Sequence, residues 1–347
     1  MRRWLGLTVA AGIFMTGGTV SSEPGPLTHT LLSFEDLHGW DQDDHEAALA
    51  VFLETCGDIT EPDWKALCAM AQDNPGAKSF FELFFRPVLV SNGEDTLFTG
   101  YFEPELNGAR SPSDRFRYPL YRMPPEARQG RWLSRRQILE TGAMDGRGLE
   151  IAWVDDPVEL FFLQIQGSGR IRMPNGQVIR VGYAGANGFP YRSIGQELIR
   201  RGVYEPHLVS AEVIKNWVRR NPEAGAELLL HNPSYVFFRE VNHVPPDKGP
   251  LGAMNRSITT KRSIAVDPVY TPLGAPVWIE KEGAIPMRRL MVAQDTGSAI
   301  KGPQRADIFM GTGGLAGRAA GRIKDTGRMV VLMPIQRAYA LLPDSLQ

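Results

Sequence analysis

The chain has little of several features that mark common protein classes. Its 38 Lys and Arg and 39 Asp and Glu give a net charge of −1, whereas nucleic-acid binding through charge requires a basic domain or stripe. The six histidines show no metal-ligand spacing with the two cysteines. We therefore expect no nucleic-acid partner, no metal and no cofactor. One group of arginines is interpreted as the solvated face of a helix: Arg128, Arg131, Arg135 and Arg136.

Cysteine is scarce, with only Cys56 and Cys68. Neither has a histidine near it in sequence, so a thiol nucleophile is not expected. Both lie on amphipathic helical stretches, and in an exported protein two cysteines this close favour a disulfide. The alternative is a pair of small, buried thiols.

The chain also lacks a long hydrophobic run near its start. Residues 1–22 are typical of a secretory leader, with Arg2 and Arg3 before an apolar stretch at 4–15 and small residues at 20–22. That stretch is short for a bilayer span, although an uncleaved anchor is the alternative. The prediction is an exported, periplasmic protein.

At 347 residues, 43% of them hydrophobic, the chain suits two domains with a sizeable core. The periodicity predicts three N-terminal helices, over 43–55, from Pro62 onward and over 77–85. From Thr96 the pattern becomes that of strands, and residues 105–130 read as a crossing into a second domain. A helix follows with Ser134 as its N-cap and Gln137 three residues later.

Residues 159–166 alternate and predict a strand with Gln164 and Gln166 on one face. Two such amides would bind the N-acetyl groups of sugars; the alternative is an exposed barrel strand. Gly167, Ser168 and Gly169 turn the chain, and Asn175-Gly176 predicts a hairpin. Ser168 lacks the G-x-S-x-G spacing of a serine nucleophile.

Residues 183–191 are rich in glycine and predict a substrate loop containing Tyr183 and Asn187. Serines 193 and 210 are predicted N-caps of two further helices. From 232 to about 332, short strands alternate with Gly and Pro turns, a density that favours a small closed barrel.

The most informative stretch is 293–313, AQDTGSAIKGPQRADIFMGTG. Asp295 follows an apolar run like the end of a strand, and Asp307 precedes another like the start of one. Gly311, Gly313 and Gly314 would allow the backbone to approach a ligand closely. Acids at strand ends beside glycine turns are typical of functional sites.

This stretch resembles the C-terminal "three-aspartate" region of lytic murein transglycosylases of the MltA type. The third aspartate is Asp267, within residues 264–274. Further matching stretches run in order along the chain, at residues 98–104, 162–169, 182–188, 232–238 and 316–321. Many such enzymes are lipoproteins attached through a cysteine just after the leader, and this sequence has no cysteine there.

The resemblance implies a mainly β fold with N-terminal helices: a double-psi β-barrel domain, a second barrel-like domain inserted into it, and a groove between them. The predicted divisions are a leader at 1–22, helices and the first part of the barrel at 23–107, the insert at 108–232 and the three-aspartate barrel at 233–347. The implied partner is the glycan strand of peptidoglycan. Proteins of cell-wall synthesis or hydrolysis are further candidate partners, the outer membrane is a candidate location, and we expect a monomer.

The activity implied is cleavage of the β-1,4 bond between N-acetylmuramic acid and N-acetylglucosamine, without water, leaving a 1,6-anhydro end. Asp307 matches the acid and would serve as acid and then base; Asp295 would tune and orient it. Asp267 would be structural, and the Lys301 ammonium would point away from Asp307 or toward substrate. The candidate substrate-binding residues are Thr99, Tyr101, Glu103, Gln164, Gln166, Ser168, Gly169, Tyr183 and Asn187.

Two alternatives stay open at this point. A peptidoglycan-binding protein without activity would keep the same fold. An aspartic peptidase would use Asp295-Thr296-Gly297 and Asp325-Thr326-Gly327 as its paired acids. However, about thirty residues between the two cannot form one lobe for each acid.

Overall fold

The structure is a computed structural model that describes residues 25–59, 62–73 and 76–341. The predicted leader at 1–22 lies outside the described residues. Along the chain, the N-terminal elements are β1 (Thr28–Leu31), α1 (His45–Thr55), α2 (Pro62–Gln72), α3 (Ala77–Phe84), β2 (Phe85–Ser91) and β3 (Leu97–Glu103).

The middle of the chain contains β4 (Glu105–Ala109), β5 (Tyr118–Tyr121), α4 (Arg135–Glu140), β6 (Glu150–Val154), α5 (Pro157–Gln166), β7 (Ser168–Arg172), β8 (Val178–Ala186), α6 (Ile194–Arg200), α7 (Ala211–Arg220), α8 (Pro222–His231) and β9 (Val236–Glu240). The C-terminal part contains β10 (Ser263–Val266), β11 (Pro276–Lys281), β12 (Met287–Asp295), β13 (Arg305–Thr312), α9 (Gly313–Ala320), β14 (Lys324–Asp325), β15 (Gly327–Pro334) and α10 (Ile335–Ala340).

The strands form two sheets. A nine-stranded sheet has the order β1-β2-β15-β11-β12-β10-β13-β3-β14, and a six-stranded sheet has the order β5-β6-β4-β7-β8-β9. The first sheet therefore combines strands from both ends of the chain, and the second comes from the middle. The nine-stranded order ends at β1 and β14, and among the described residues no pairing between these strands closes it into a barrel. The predicted mainly β architecture with N-terminal helices is confirmed at this level.

The three N-terminal helices are confirmed, and their apolar faces cover one side of the nine-stranded sheet. Phe52, Phe80, Phe81 and Phe85 are fully buried and pack ring against ring with centroids 5.3–6.3 Å apart. A disulfide joins Cys56, at the end of α1, to Cys68 in α2. The sequence pattern thus gave the correct choice between a bridge and two free thiols.

The predicted strand over 159–166 is wrong, because these residues form helix α5. Asp156 caps the helix through Oδ1, which accepts from the backbone N–H groups of Val158 and Glu159, and Pro157 occupies the first turn. Gly167 ends it with φ +77°. The Asp-Pro start and glycine stop are helix signals that override the short alternation of apolar residues.

Two glycine interpretations also change. Residues 183–186 belong to strand β8 rather than to a loop. Gly313 and Gly314 begin helix α9, which packs against β3 so closely that a Cβ on Gly100 would lie 2.8 Å from the Cα of Ala320. In this part of the chain glycine permits helix–strand packing.

Buried charges join the two sheets. Glu103, at the end of β3 in the nine-stranded sheet, is fully buried and accepts from Arg170 Nε of β7 at 2.8 Å. Arg180 Nε of β8 lies 3.0 Å from its other oxygen, and the Thr312 hydroxyl donates to Glu103 at 2.8 Å. Glu103, at the end of a strand of the nine-stranded sheet, therefore supplies the negative charge that pairs with arginines on two strands of the six-stranded sheet.

The described part of the chain contains no helix that is long and apolar enough to span a bilayer.

Candidate active site

Strand pairing brings Asp295 and Asp307 together. In β10, Ala265 pairs with Asp295 of the parallel strand β12 and with Asp307 of the antiparallel strand β13. The two aspartates therefore lie on the strands either side of β10, about 10 Å apart at the backbone for two inter-strand spacings. The side chain between them is only a methyl group, so their carboxyl groups face the same space.

Asp307 lies within β13 rather than ahead of it, and β13 runs parallel to β3 with Thr99 directly opposite. The Thr99 hydroxyl donates to Oδ1 of Asp307, and Arg305 Nη1 donates to the same oxygen at 2.6 Å. No hydrogen bond reaches Oδ2 from any described residue. Burial raises the pKa of Asp307 above its ordinary value, although Arg305 opposes this. Burial is the stronger of the two effects.

Asp295 has a different environment, with donors at both oxygens. Oδ1 accepts from the backbone N–H groups of Ala253 at 3.0 Å and Thr296 at 2.9 Å, and Oδ2 accepts from the Tyr101 hydroxyl at 3.0 Å. Burial nevertheless raises the pKa of Asp295 to about 6, and the charge of Asp307 contributes in the same direction. Burial and the two carboxylates raise the pKa of the Tyr101 phenol well above 10, so it remains a donor.

Both aspartates line one cleft of about 870 Å³. Its walls come from both sheets: β12, β13 and the loop after β12 on one side, and α5, β8 and the segment before β9 on the other. The predicted groove between two β units is present in this form. It includes five of the predicted substrate-binding residues, namely Tyr101, Gln164, Gln166, Ser168 and Tyr183.

Gln164 and Gln166 reach the cleft from helix α5 rather than from the predicted strand. Gln166 Oε1 accepts from the backbone N–H of Phe102 at 3.2 Å, which ties the end of α5 to β3. Gln164 is 5% exposed, and its Oε1 has no donor among the described residues. Tyr183 is 55% exposed and presents its ring to the cleft.

Four predicted substrate-binding residues do not line the cleft. Thr99 bonds to Asp307, as described above. Glu103 is fully buried with Arg170 and Arg180, as described above. Asn187 is also fully buried: its Nδ2 donates to the carbonyls of Leu133 and Pro233 at 2.8 and 2.9 Å, and its Oδ1 accepts from the N–H of Tyr235. A Cβ on Gly169 would lie 2.4 Å from Leu163 Cδ1. The structure gives Glu103, Asn187 and Gly169 packing and bonding roles.

Asp267 and Lys301 lie at the edge of the cleft. Asp267 is buried and accepts from the N–H groups of Val269 and Gly302 at 3.3 and 3.1 Å. Lys301 lines the cleft, with its side chain 65% exposed and its ammonium 3.9 Å from Asp267 Oδ1. Asp267 therefore bonds the backbone at the edge of the cleft, and the Lys301 ammonium lies beside its carboxylate.

Sequence reasoning missed four residues of the site: Arg305, Ala253, Ala265 and Arg135. Arg305 and Ala265 stand inside matched motifs, but only strand register shows which atoms they contact. Ala253 acts through its backbone N–H, which no side-chain pattern reveals. Arg135 belongs to the arginine group interpreted as a solvated helix face, yet it is buried and lines the cleft; that interpretation is wrong for Arg135.

The second Asp-Thr-Gly does not contribute to the site. Asp325 lies on β14, where its Oδ2 accepts from the buried Lys281 ammonium at 2.6 Å, and it does not line the cleft. The two Asp-Thr-Gly copies therefore do not form the paired acids of an aspartic peptidase. The same geometry removes the alternative that rested on them.

No group of three or more potential metal ligands occurs among the described residues.

The site's sequence has close counterparts. Residues 97–239 match the family described as "MltA specific insert domain", and residues 262–333 match the "3D domain". Membrane-bound lytic murein transglycosylase A of Vibrio cholerae is 35% identical over 268 residues, which cover 73% of this chain and 70% of that protein. The chain belongs to the MltA family. MltA of Escherichia coli K12 is 37% identical over 253 residues, which cover 70% of this chain and 67% of that protein.

Solved structures agree with this membership. A membrane-bound lytic murein transglycosylase from Agrobacterium tumefaciens has a TM-score of 0.80 at 31% identity and covers 91% of this chain and 100% of its own. MltA from Neisseria gonorrhoeae has a TM-score of 0.76 at 33% identity, covering 92% and 95%. E. coli MltA with bound chitohexaose has a TM-score of 0.70 at 29% identity, covering 84% and 90%. The fold described here is thus the MltA fold.

Proposed function

We propose that this protein is a lytic transglycosylase that cleaves the β-1,4 bond between N-acetylmuramic acid and N-acetylglucosamine in peptidoglycan and leaves 1,6-anhydro ends. The observation that carries the proposal is the pair of partly buried aspartates, either side of Ala265, at the wall of one cleft. Membership in the MltA family supports the substrate, and the chitohexaose bound by the E. coli relative supports a cleft that accepts an N-acetylated glycan.

Asp307 is the proposed acid and base. Its two hydrogen-bond donors, Thr99 and Arg305, both bind Oδ1. Oδ2 is therefore the oxygen left to carry the proton and give it to substrate. Burial favours the protonated form of Asp307, which is the form that a general acid needs near neutrality.

Asp295 is the proposed electrostatic partner. Three donors hold its two oxygens, and hydrogen bonds of this kind favour the charged form of a carboxyl. A charged Asp295 raises the pKa of Asp307, because the interaction between two carboxylates acts on both. Tyr101, Ala253 and Thr296 thus fix where the negative charge of the pair resides.

The reaction follows from one proton moving twice. Asp307 Oδ2–H protonates the glycosidic oxygen as the bond from that oxygen to C1 of the muramyl ring breaks. The positive charge at C1 is stabilised by the substrate's own acetamido oxygen, as in substrate-assisted glycosidases. The Asp307 carboxylate then takes the proton of the C6 hydroxyl as O6 bonds to C1, which restores the acid. Ordinary glycosidases need a second carboxyl group to activate water or attack C1, whereas here O6 takes that place.

The remaining expectations belong to the same proposal. Gln164, Gln166, Ser168 and Tyr183 would contact sugar, and Thr99 would act through Asp307. The nine-stranded sheet would correspond to the double-psi barrel and residues 108–232 to the insert. Export to the periplasm is supported by the predicted leader at 1–22, and association with a membrane, here proposed to be the outer membrane, by relatives described as membrane-bound. A monomeric state belongs to the same proposal.

The test is digestion of purified sacculi followed by mass analysis of the released fragments. The wild type should release 1,6-anhydromuropeptides, and Asp307→Asn should lower that rate by at least about 1,000-fold, because it removes the transferable proton and the electrostatics with it. Sedimentation with sacculi and a thermal melt should show that the variant still binds and folds. Reducing ends among the products would indicate a hydrolase, and unchanged activity in Asp307→Asn would remove that residue from the mechanism.

A peptidoglycan-binding protein without activity is the remaining alternative. It predicts that wild type and Asp307→Asn bind sacculi equally and that neither releases fragments. The raised pKa values of two carboxyl groups in the cleft favour the enzyme over this alternative.

A further inference from the structure

Arg135 is a buried cation at the cleft wall that takes no part in the proposed proton transfer. It opens α4, is only 5% exposed and lines the cleft. Its Nε donates to the carbonyl of Asn232 at 3.1 Å, and Nη2 donates to the carbonyl of Ser234 at 2.7 Å. The guanidinium is thus held rigidly at the segment that precedes β9.

Two aromatic rings enclose the same group. The guanidinium carbon lies 4.6 Å from the ring centre of Phe161 and 5.1 Å from that of Tyr235. Such contacts stabilise a cation, but they present no negative charge at hydrogen-bonding distance. Neither ring contact supplies a hydrogen-bond acceptor for Nη1, and Arg135 lines the cleft.

The charge of Arg135 has no counter-ion in the described part of the chain. No carboxylate oxygen of the described residues lies within 4.0 Å of a guanidinium nitrogen of Arg135, and Nη1 donates no hydrogen bond to any of these residues. Burial lowers the pKa of Arg135 to about 10, and only the phenols of Tyr235 and Tyr191 oppose this. A buried cation without an anion is costly. A cleft wall that retains one is therefore suited to a ligand that brings the anion.

A second polar group in the same region also lacks a partner. Gln164 bonds to the Tyr235 side chain that Arg135 covers, and its Oε1 is buried without a donor. The cleft therefore offers a donor cation and an amide acceptor around one tyrosine. A ligand with a carboxylate and a nearby amide N–H would satisfy both.

We propose that Arg135 binds a carboxylate of the glycan strand, either the free lactyl carboxylate of a muramyl residue or a carboxylate of the peptide attached to it. The proposal rests on the proposed function, because it takes peptidoglycan as the ligand. Arg135 is then a specificity-determining residue that distinguishes muramyl strands from neutral chitin-like strands, with Gln164 as the acceptor for an adjacent amide N–H.

The test compares three tetrasaccharides by titration calorimetry in an Asp307→Asn background, which leaves the ligands uncut. They are neutral chitotetraose, a GlcNAc–MurNAc tetrasaccharide with free lactyl carboxylates, and the same strand bearing peptides. A charge-assisted bond predicts a preference of about tenfold or more for one or both of the acidic ligands. Arg135→Gln should abolish that preference and change the Kd for chitotetraose by less than about twofold.

Two further variants keep the test sharp. Arg136→Gln removes the same charge one residue along α4, from a side chain that pairs with Glu140 and Glu227 outside the cleft, and should retain the full preference. Arg135→Lys keeps a cation and should retain part of it. If Arg135→Gln does not fold, as judged by its thermal melt, the result for Arg135→Lys decides.

The outcomes separate the possible readings. A preference confined to the strand without peptides identifies the lactyl carboxylate, and one confined to the peptide-bearing strand identifies the peptide; either supports the proposal. Equal loss of affinity for all three ligands in Arg135→Gln would show that Arg135 only supports the Asn232–Ser234 carbonyls, and would overturn it. Digestion of sacculi by the wild type reports separately on the proposed function, since carboxylate preference in binding does not depend on which bond is cleaved.

Discussion

At the scale of single residues, the site depends on how differently two aspartates are bonded. Asp295 receives three hydrogen bonds distributed over both oxygens, whereas both donors to Asp307 bind one oxygen. Burial raises the pKa of each. In the proposed mechanism, this bonding pattern assigns the charge to Asp295 and the proton to Asp307.

The pH dependence of activity follows from this pair. In the proposed mechanism the negative charge of Asp295 raises the pKa of Asp307. Asp295→Asn removes this charge, so the alkaline limb of the kcat/KM profile should move to lower pH, and the rate at neutral pH should fall. The check is the rate of anhydromuropeptide release from pH 4 to 9. Asp41→Asn, at a side chain that is 72% exposed, is the control and should leave the profile unchanged. The same alkaline limb in Asp295→Asn and wild type would contradict the tuning role.

The same substitution should also change stability with pH. The pKa of Asp295 is about 6 in the folded protein and 3.8 ordinarily, so the folded state binds more protons than the unfolded state between these values. The wild type therefore loses stability as pH rises from about 4 to about 6. Asp295→Asn should melt higher than the wild type at pH 7.5, and the difference should disappear near pH 4.

At the scale of secondary-structure elements, small residues and cross-links position the site. Ala265 of β10 leaves the space between the aspartates, and Ala253 lies in the loop whose N–H reaches Asp295. Arg256 of that loop pairs with Asp58, which follows Cys56 by two residues. The disulfide between α1 and α2 therefore holds the segment against which the loop is anchored.

Removing this disulfide should lower stability more than activity. The double variant Cys56→Ser, Cys68→Ser opens a loop closed over 12 residues, and loop-closure entropy predicts a loss of about 2–4 kcal/mol in the free energy of unfolding. Urea unfolding with and without dithiothreitol is the measurement. The reductant should bring the wild type to the variant's midpoint and leave the variant unchanged. A reductant-insensitive wild type would show that the bond contributes nothing to stability.

At the scale of the whole molecule, the cleft lies between two sheets whose relative position is held by buried ion pairs. Glu103 ends a strand of one sheet and is buried between Arg170 and Arg180 of the other. Breaking a buried ion pair by removing one partner leaves unpaired charge in a low-dielectric interior. The relation of the sheets thus depends on a carboxylate that sequence reasoning placed in the substrate groove.

Glu103→Gln should therefore destabilise the protein by about 3 kcal/mol or more. Glu105→Gln, two residues along the chain, is the matched control, because its pair with Arg172 is partly exposed at 3.6 Å and should contribute less than about 1 kcal/mol. Chemical denaturation of both variants gives the comparison. Equal midpoints for the two would mean that Glu103 does not join the sheets, and loss of glycan binding without loss of stability would return it to the substrate groove.

The sequence alone determined those features that depend on residues close together in the chain. Apolar periodicity gave the three N-terminal helices, Ser134 with Gln137 gave a capping box, Asn175-Gly176 gave the β7–β8 hairpin, and cysteine spacing favoured the bridge. The motif around Asp295 and Asp307 gave the family. The prediction from sequence periodicity failed for α5. The eight alternating residues predicted a strand, but the Asp-Pro at the start and the glycine at the end are stronger signals, and they specify a helix.

Only the tertiary structure decided which side chains meet. Parallel pairing of β3 with β13 placed Thr99 on Asp307, and the two registers of Ala265 brought the aspartates to one wall. The tertiary structure also buries Asn187, Glu103 and Arg135, which belong to residue types that are mostly exposed in proteins. The physical reason is that hydrogen-bond partners and desolvation depend on neighbours far apart in the chain, Thr99 and Asp307 being 208 residues apart, and no local pattern contains them.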